Sequence, residues 1–205
     1  MKKEVIAVDI DNVLAQHAKA LMSFYNSVAG TALTELDYTE DWLFVGEKME
    51  DIKSMGSQFV ASGVHAKMEV IPGALEALKY LKQKYQLVIV TARNKAVNDM
   101  TLDWVGMHFP DIFDDICFAK IWEEEGQKIT KATLCSQAGA SFLIDDSLVQ
   151  CELVAKAGIQ SILFGNYPWN KHEGELPKKM KRCSDWPEVL EYLNRLKLKE
   201  TTKDV

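Results

Sequence analysis

Four aspartates stand in two pairs, each closing an apolar run: Asp9 and Asp11 in VIAVDIDNVLA, and Asp145 and Asp146 in SFLIDDS. A strand heading for the core gains nothing from like charges at its end. Two charges about 4 Å apart repel by roughly 4 kcal/mol at an effective dielectric near 20. If the pairs converge, a cation must sit with them. No His or Cys adjoins them, and hard oxygen ligands suit Mg²⁺, which keeps several waters and readily shares its shell with a phosphate. Two acids at one strand end can also divide a reaction. One carboxylate attacks phosphorus as a nucleophile. The other, two residues on, protonates the leaving oxygen and later activates water. Phosphoryl oxygens then need a hydroxyl and a cation. Thr91 ends the run QLVIVTA, with Ala92 and Arg93 behind it, and Lys131 opens TKATLCSQAGA. Lys128, three residues earlier, is the alternative lysine.

These residues converge only if particular elements carry them. Five apolar runs read as short buried strands: EVIAVDI (4–10), QLVIVTA (86–92), DICFA (115–119), SFLIDD (141–146) and SILFG (161–165). Continuous apolar runs suit a parallel sheet covered on both faces. Helical patterns separate most of them. PGALEALKYLKQKY follows a Pro-Gly turn, TKATLCSQAGA starts at a plausible N-cap, Thr130, and stops near Gly139, and SLVQCELVAKAG runs from Ser147 to Gly158. The alternation predicts an α/β fold, a doubly wound parallel sheet, with ligands bound outside the carboxyl ends of the strands.

One segment breaks the rhythm. Between the first strand and Pro72-Gly73, Leu14, Ala18, Leu21, Tyr25 and Val28 recur at helical spacing, as do Met49, Ile52, Met55 and Phe59. The spacing predicts a small helical cap inserted after the first strand. The expected organisation is a core of 1–14 and 69–198, a cap of 15–68 and a disordered tail of 199–205. Between the two cap helices, LDYTEDWLFVGEK offers Trp42 and Phe44 to a substrate; these and Tyr25 are either substrate contacts or ordinary cap core. The stretch 166–183, NYPWNKHEGELPKKMKRC, reads as a long irregular loop before a closing helix around 186–196. The four histidines lie in none of the acidic or phosphate-binding elements and read as surface or packing residues.

Composition narrows the partners. The chain has 205 residues, 47% of them apolar, enough for one substantial core or a core with a small insertion. A net charge of -6 argues against a nucleic-acid polymer, which needs a clustered basic face. No stretch approaches the roughly 20 apolar residues that span a bilayer. The opening MKKEVIAVDID is too short an apolar run for a leader, and Asp9 interrupts it. The four cysteines are scattered, without a CxxC pair, and read as free thiols in a reducing, cytoplasmic setting. The net charge still leaves room for a small anionic substrate held by one or two local cations.

DIDNV, VIVTAR, a lysine and LIDDS, in that order, resemble the four motifs of the haloacid dehalogenase-like (HAD) superfamily of phosphohydrolases. The resemblance covers about 4–12 and 70–165, and the insertion is similar in position to that family's cap. PGALEAL and the K…C…GA…LIDDS spacing resemble the 5′-nucleotidase (deoxyribonucleotidase) branch. The resemblance implies that Asp9 is nucleophile and metal ligand, and that Asp11 is the general acid/base, binding metal through its carbonyl. Thr91 and Lys131 then contact phosphate, with Ala92 and Arg93 beside them, and Asp145 or Asp146 completes the Mg²⁺ shell. Asn12 stands where a glycine is common, which suits the tolerance of Asn for left-handed backbone. A phosphatase of another metabolite, such as a sugar phosphate, is the alternative within the class. Outside it stand a phospho-signalling receiver, whose phosphorylated Asp would end the third strand, and a catalytically silent binding domain.

Overall fold

The computed structural model describes residues 3–38, 49–120 and 128–201. In chain order its elements are β1 (Val5–Val8), α1 (His17–Ala29), α2 (Met49–Ala61), α3 (Ala74–Lys84), β2 (Gln86–Thr91), α4 (Asn98–His108), β3 (Asp115–Phe118), α5 (Lys131–Gln137), β4 (Ala140–Asp145), α6 (Leu148–Lys156), β5 (Gln160–Phe164), β6 (Met180–Cys183) and α7 (Trp186–Thr201), with short 3-10 turns between some of them. The strands form one sheet in the order β3-β2-β1-β4-β5-β6, and every neighbouring pair is parallel.

The missing alternation in the apolar runs has its expected cause. Ile6, Val8, Leu87, Ile89, Phe142 and Ile144 point to one face, where α3, α4 and α7 bring Leu78, Trp104 and Trp186. Val5, Ala7, Val88, Val90 and Leu143 point to the other, against Cys135 of α5 and Val154 of α6. Side chains still alternate along each strand, but both faces are dry. The predicted caps hold. Thr130 Oγ1 accepts the amide of Thr133 at 3.1 Å, and Ser147 Oγ accepts that of Gln150 at 3.1 Å.

Two expectations change, and one element is new. The stretch 166–183 is not all loop, because Met180–Cys183 forms β6, parallel to β5 at the sheet edge. Only Cys183 of that strand is fully buried, so it carries no apolar run that a sequence could display. α4 has no counterpart among the sequence patterns; Leu102 and Met107 lie exposed on it while Trp104 and Val105 are buried, so its apolar residues circle the helix rather than line one face. α7 continues past Leu196 to Thr201, into what was expected as tail.

The cap grows from a narrow root. The amide of Gln16 donates to Glu69 O at 2.8 Å, and that of Ile71 to Leu14 O at 2.7 Å, so the outgoing and returning strands of chain are pinned together. Above the root, Ala18, Leu21, Met22, Tyr25, Tyr38 and Phe59 form a separate small cluster. Leu14 belongs to the main core instead, and Val28, expected on the buried stripe, is exposed.

Candidate active site

The sheet order decides which strand ends meet. From β1 the chain runs outward to β2, while β4 lies on the other side of β1, so the switch point falls between β1 and β4. Val8 pairs with Ile144, and the amide of Asp9 donates to Ile144 O at 2.9 Å. The residues that follow, Asp9 on one side and Asp145 and Asp146 on the other, are forced together. One oxygen from each of the three lies within 4.8 Å of the others. Lys131, the first residue of α5, reaches both strands: its Nζ is 2.8 Å from Asp9 Oδ1 and 2.7 Å from Asp145 Oδ2. Asp145 Oδ1 accepts the amide of Ser147 at 3.0 Å. All four side chains are buried.

The electrostatics follow. Burial pushes the Asp9 carboxyl up to about 7; Lys131 opposes the shift, and Asp145 and Asp11 add to it. Burial, with Asp145 and Asp9 nearby, also raises Asp146 well above the carboxylate range. For Lys131 burial works downward, but Asp145 and Asp9 more than reverse it and hold the ammonium charged. One lysine against three carboxylates leaves a site suited to a divalent cation. Its donors are hard oxygens with no sulfur or imidazole among them, so Asp9, Asp145 and Asp146 fit Mg²⁺.

Asp11 is not in this cluster. The chain turns at Asn12, which takes the left-handed backbone its residue type allows, with φ 58°. The Asp11 carboxylate faces Arg93, whose Nη2 donates to Oδ1 at 2.6 Å and whose Nε lies 3.1 and 3.2 Å from Oδ1 and Oδ2. Burial would raise Asp11, but the Arg93 guanidinium outweighs it and holds the carboxyl well below its usual range. Arg93 Nη1 donates to Thr101 Oγ1 at 3.1 Å. The guanidinium expected beside a phosphate is thus turned onto Asp11. Thr91 is fully buried at the end of β2, its Oγ1 accepting the amide of Arg93 at 3.3 Å, and Ala92 is half-buried after it. Lys128 is exposed where Lys131 is buried.

His17 and His65 are buried near Asp11, packed on Phe59 with ring centroids 5.7 and 4.5 Å away. Burial pushes the His17 imidazole down, with Asp11 opposing, and His65 down to about 4. Tyr25 is buried in the cap cluster. Trp42 and Phe44 lie outside the described residues. Two side chains that the motifs did not single out for the site touch Asp146: Asn12 and Trp169 both donate to its Oδ2, at 3.0 and 2.9 Å. Asn12 sits inside the first motif and was legible there as a departure. Trp169 comes from the 166–183 stretch, where no spacing announces it.

β3 ends at Phe118, with no carboxylate at its tip, which removes the receiver arrangement. No described helix is long and apolar enough to cross a membrane, and all four cysteines are free thiols.

Among solved structures, the chain is similar to a haloacid dehalogenase-like family hydrolase from Streptococcus pneumoniae (TM-score 0.67, 14% identity, covering 93% of this chain and 98% of that one). It is also similar to a subfamily IA HAD-superfamily hydrolase from Geobacter sulfurreducens (0.59, 18%, 93% and 96%). A third is the HAD-hydrolase YfnB from Bacillus subtilis, solved bound to magnesium (0.58, 14%, 95% and 100%). At these identities the likeness shows the shared fold. A comparison with curated proteins returned no match. The model of one family, "5' nucleotidase, deoxy (Pyrimidine), cytosolic type C protein", matches residues 3–199. That match takes in nearly the whole chain, including both aspartate pairs, Lys131 and the cap, so the chain belongs to this family of HAD-type phosphatases.

Proposed function

We propose that the chain is a Mg²⁺-dependent 5′-nucleotidase working through an aspartyl-phosphate on Asp9. The observation that carries the phosphatase chemistry is Lys131 bridging Asp9 and Asp145 at the β1/β4 switch point. The nucleotide assignment rests on the family. Asp9, Asp145 and Asp146 would hold Mg²⁺, which when bound screens the phosphoryl oxygens from the attacking carboxylate.

In the first step an Asp9 oxygen bonds to phosphorus while the bond from phosphorus to the nucleoside oxygen breaks. Asp11 gives its proton to that departing oxygen. Water then attacks the aspartyl-phosphate, Asp11 takes the water proton, and the Asp9–phosphorus bond breaks to release inorganic phosphate. Lys131 and the Thr91 hydroxyl hold the phosphoryl oxygens as charge builds. Arg93 keeps Asp11 ionised, the form competent as a base. To act as an acid Asp11 must leave Arg93 and take up a proton. The cap, rooted three residues beyond Asp11, covers the strand ends and is the part of the chain positioned to select the leaving group.

The test is a substrate panel of ribo- and deoxyribonucleoside 5′-monophosphates, sugar phosphates and a generic aryl phosphate, each with Mg²⁺ and with EDTA. Nucleotides are expected to give the highest kcat/KM, and EDTA to stop all hydrolysis. A preference for sugar phosphates would overturn the substrate class alone; full activity in EDTA would overturn the metal.

A further inference from the structure

Asp146 Oδ2 accepts two hydrogen bonds, from Asn12 Nδ2 at 3.0 Å and Trp169 Nε1 at 2.9 Å. Each donor has a second attachment on the cap. Asn12 Oδ1 accepts the amide of Ala18, in the first turn of α1, at 2.8 Å. The Trp169 ring meets Tyr38 of the cap edge-on, with centroids 4.7 Å apart. The two donors also support one another. Tyr167 stacks on Trp169 at 4.4 Å and 5°, and its hydroxyl donates to Asn12 O at 2.8 Å.

The loop that carries Trp169 is built from below. Asn170 is fully buried and its Nδ2 donates to Asp146 O at 3.0 Å and Phe164 O at 2.9 Å. Arg182, on the edge strand β6, donates to Asn170 Oδ1 at 2.9 Å and to Asn170 O at 2.6 Å. Gly165 has φ +81°, and a Cβ there would lie 2.1 Å from the Tyr167 ring, so only glycine lets the aromatic pair fold back over the strand end.

From this arrangement we infer that Trp169 is a positioning residue: its indole N–H, together with Asn12, fixes the orientation of the Asp146 carboxylate and couples docking of the cap to binding of Mg²⁺. The inference rests on Asp146 being a Mg²⁺ ligand, as proposed above. Two donors on one oxygen restrict rotation of the carboxylate and orient its other oxygen. Removing such an outer hydrogen bond typically weakens metal binding 10- to 100-fold. Because both donors are anchored on the cap, a metal that needs Asp146 in this orientation also favours the docked cap, and by linkage the factor is the same in both directions.

The experiment titrates Mg²⁺ into the metal-free full-length chain by calorimetry and follows amide exchange over residues 17–38 with and without Mg²⁺. Trp169→Phe keeps a ring against Tyr38 and Tyr167 and removes only the donor. Asn12→Gly keeps the left-handed backbone and removes the other donor. Metal-free melting curves confirm that each variant folds. In Trp169→Phe the Kd for Mg²⁺ is expected to rise about 10-fold, and the slowing of exchange that Mg²⁺ induces in the cap to shrink with it. Asn12→Gly is expected to move both readouts the same way. An unchanged Kd in both folded variants, with the wild type binding Mg²⁺, would overturn the positioning role alone. A wild type that binds no Mg²⁺ would overturn the metal reading and this inference together.

Discussion

Asp9 and Asp11 are two residues apart, both buried, and chemically identical, yet their surroundings push them in opposite directions. Asp9 lies among like charges, with Asp145 and Asp146 beside it and one shared lysine, and burial lifts its carboxyl to about 7. For Asp11 burial acts the same way, but Arg93 grips both oxygens and wins, holding the carboxyl ionised. The side of the site around Asp9 is short of positive charge and asks for a metal. The side around Asp11 is already neutralised by Arg93. A motif of two aspartates therefore gives two groups of unlike charge state, and the neighbours that the fold supplies make the difference; the roles proposed for them, nucleophile for Asp9 and acid/base for Asp11, follow from it.

The largest expected effect separates the two directly. Asp9→Asn should lower turnover by on the order of 10⁴-fold or more, because an amide does not attack phosphorus. Asp11→Asn should lose least with substrates whose leaving groups need no proton, and a phosphoryl mimic should be trapped on Asp9. Trapping on Asp11 would reverse the two roles.

Next in size is the shared cation. Lys131→Ala should reduce kcat by on the order of 10²- to 10³-fold, while Lys128→Ala, at an exposed position, should change it little. Steady-state kinetics of the two variants side by side decide between them; a larger loss at Lys128 would break the picture of one lysine serving both strands.

The charge imbalance around Asp9 also predicts how stability depends on pH. In metal-free protein the folded Asp9 binds its proton more tightly than the unfolded chain does, since its carboxyl is raised to about 7. Stability should therefore fall as pH rises from about 4 to about 7, by on the order of 2–4 kcal/mol. Mg²⁺ favours the ionised form and should flatten that slope. Chemical denaturation across this pH range, with EDTA and with Mg²⁺, measures both curves. Asp11 has the opposite sign: its contribution is present above the ordinary carboxylate range and is lost only as pH falls through its depressed value.

The smallest effect belongs to groups that touch the leaving group alone. If Trp42 or Phe44 stacks on a base, alanine at either position should raise KM for a nucleoside monophosphate by roughly 5- to 150-fold, corresponding to about 1–3 kcal/mol, and leave aryl phosphate hydrolysis nearly unchanged. Equal losses on both substrates, with a lowered Tm, would identify them as cap packing.

Much of this was legible before the structure. Apolar runs ending in acids mark strands and their functional ends, because a buried parallel strand needs both faces apolar and a ligand site needs charge at one tip. Thr130 and Ser147 announced their helices because capping is a local hydrogen bond. β6 was hidden because an edge strand is held by pairing with β5 rather than by an apolar run, and Trp169 was hidden with it in the same stretch. α4 was hidden because its apolar residues surround the helix.

Residue type, order and local spacing were sufficient for the α/β class, the five strands that carry apolar runs and the helical insertion after the first of them, since each depends on chemistry within a few residues. They were not sufficient for the partners of the paired aspartates. That Arg93 turns to Asp11, that Lys131 spans Asp9 and Asp145, and that Trp169 and Asn12 meet on one oxygen of Asp146 are contacts across 82, 122, 14, 23 and 134 positions of chain. Only the β1/β4 switch point and the loops packed around it bring such groups within hydrogen-bonding distance, and the charge–charge interactions that shift a carboxylate grow as the separation and the local dielectric fall.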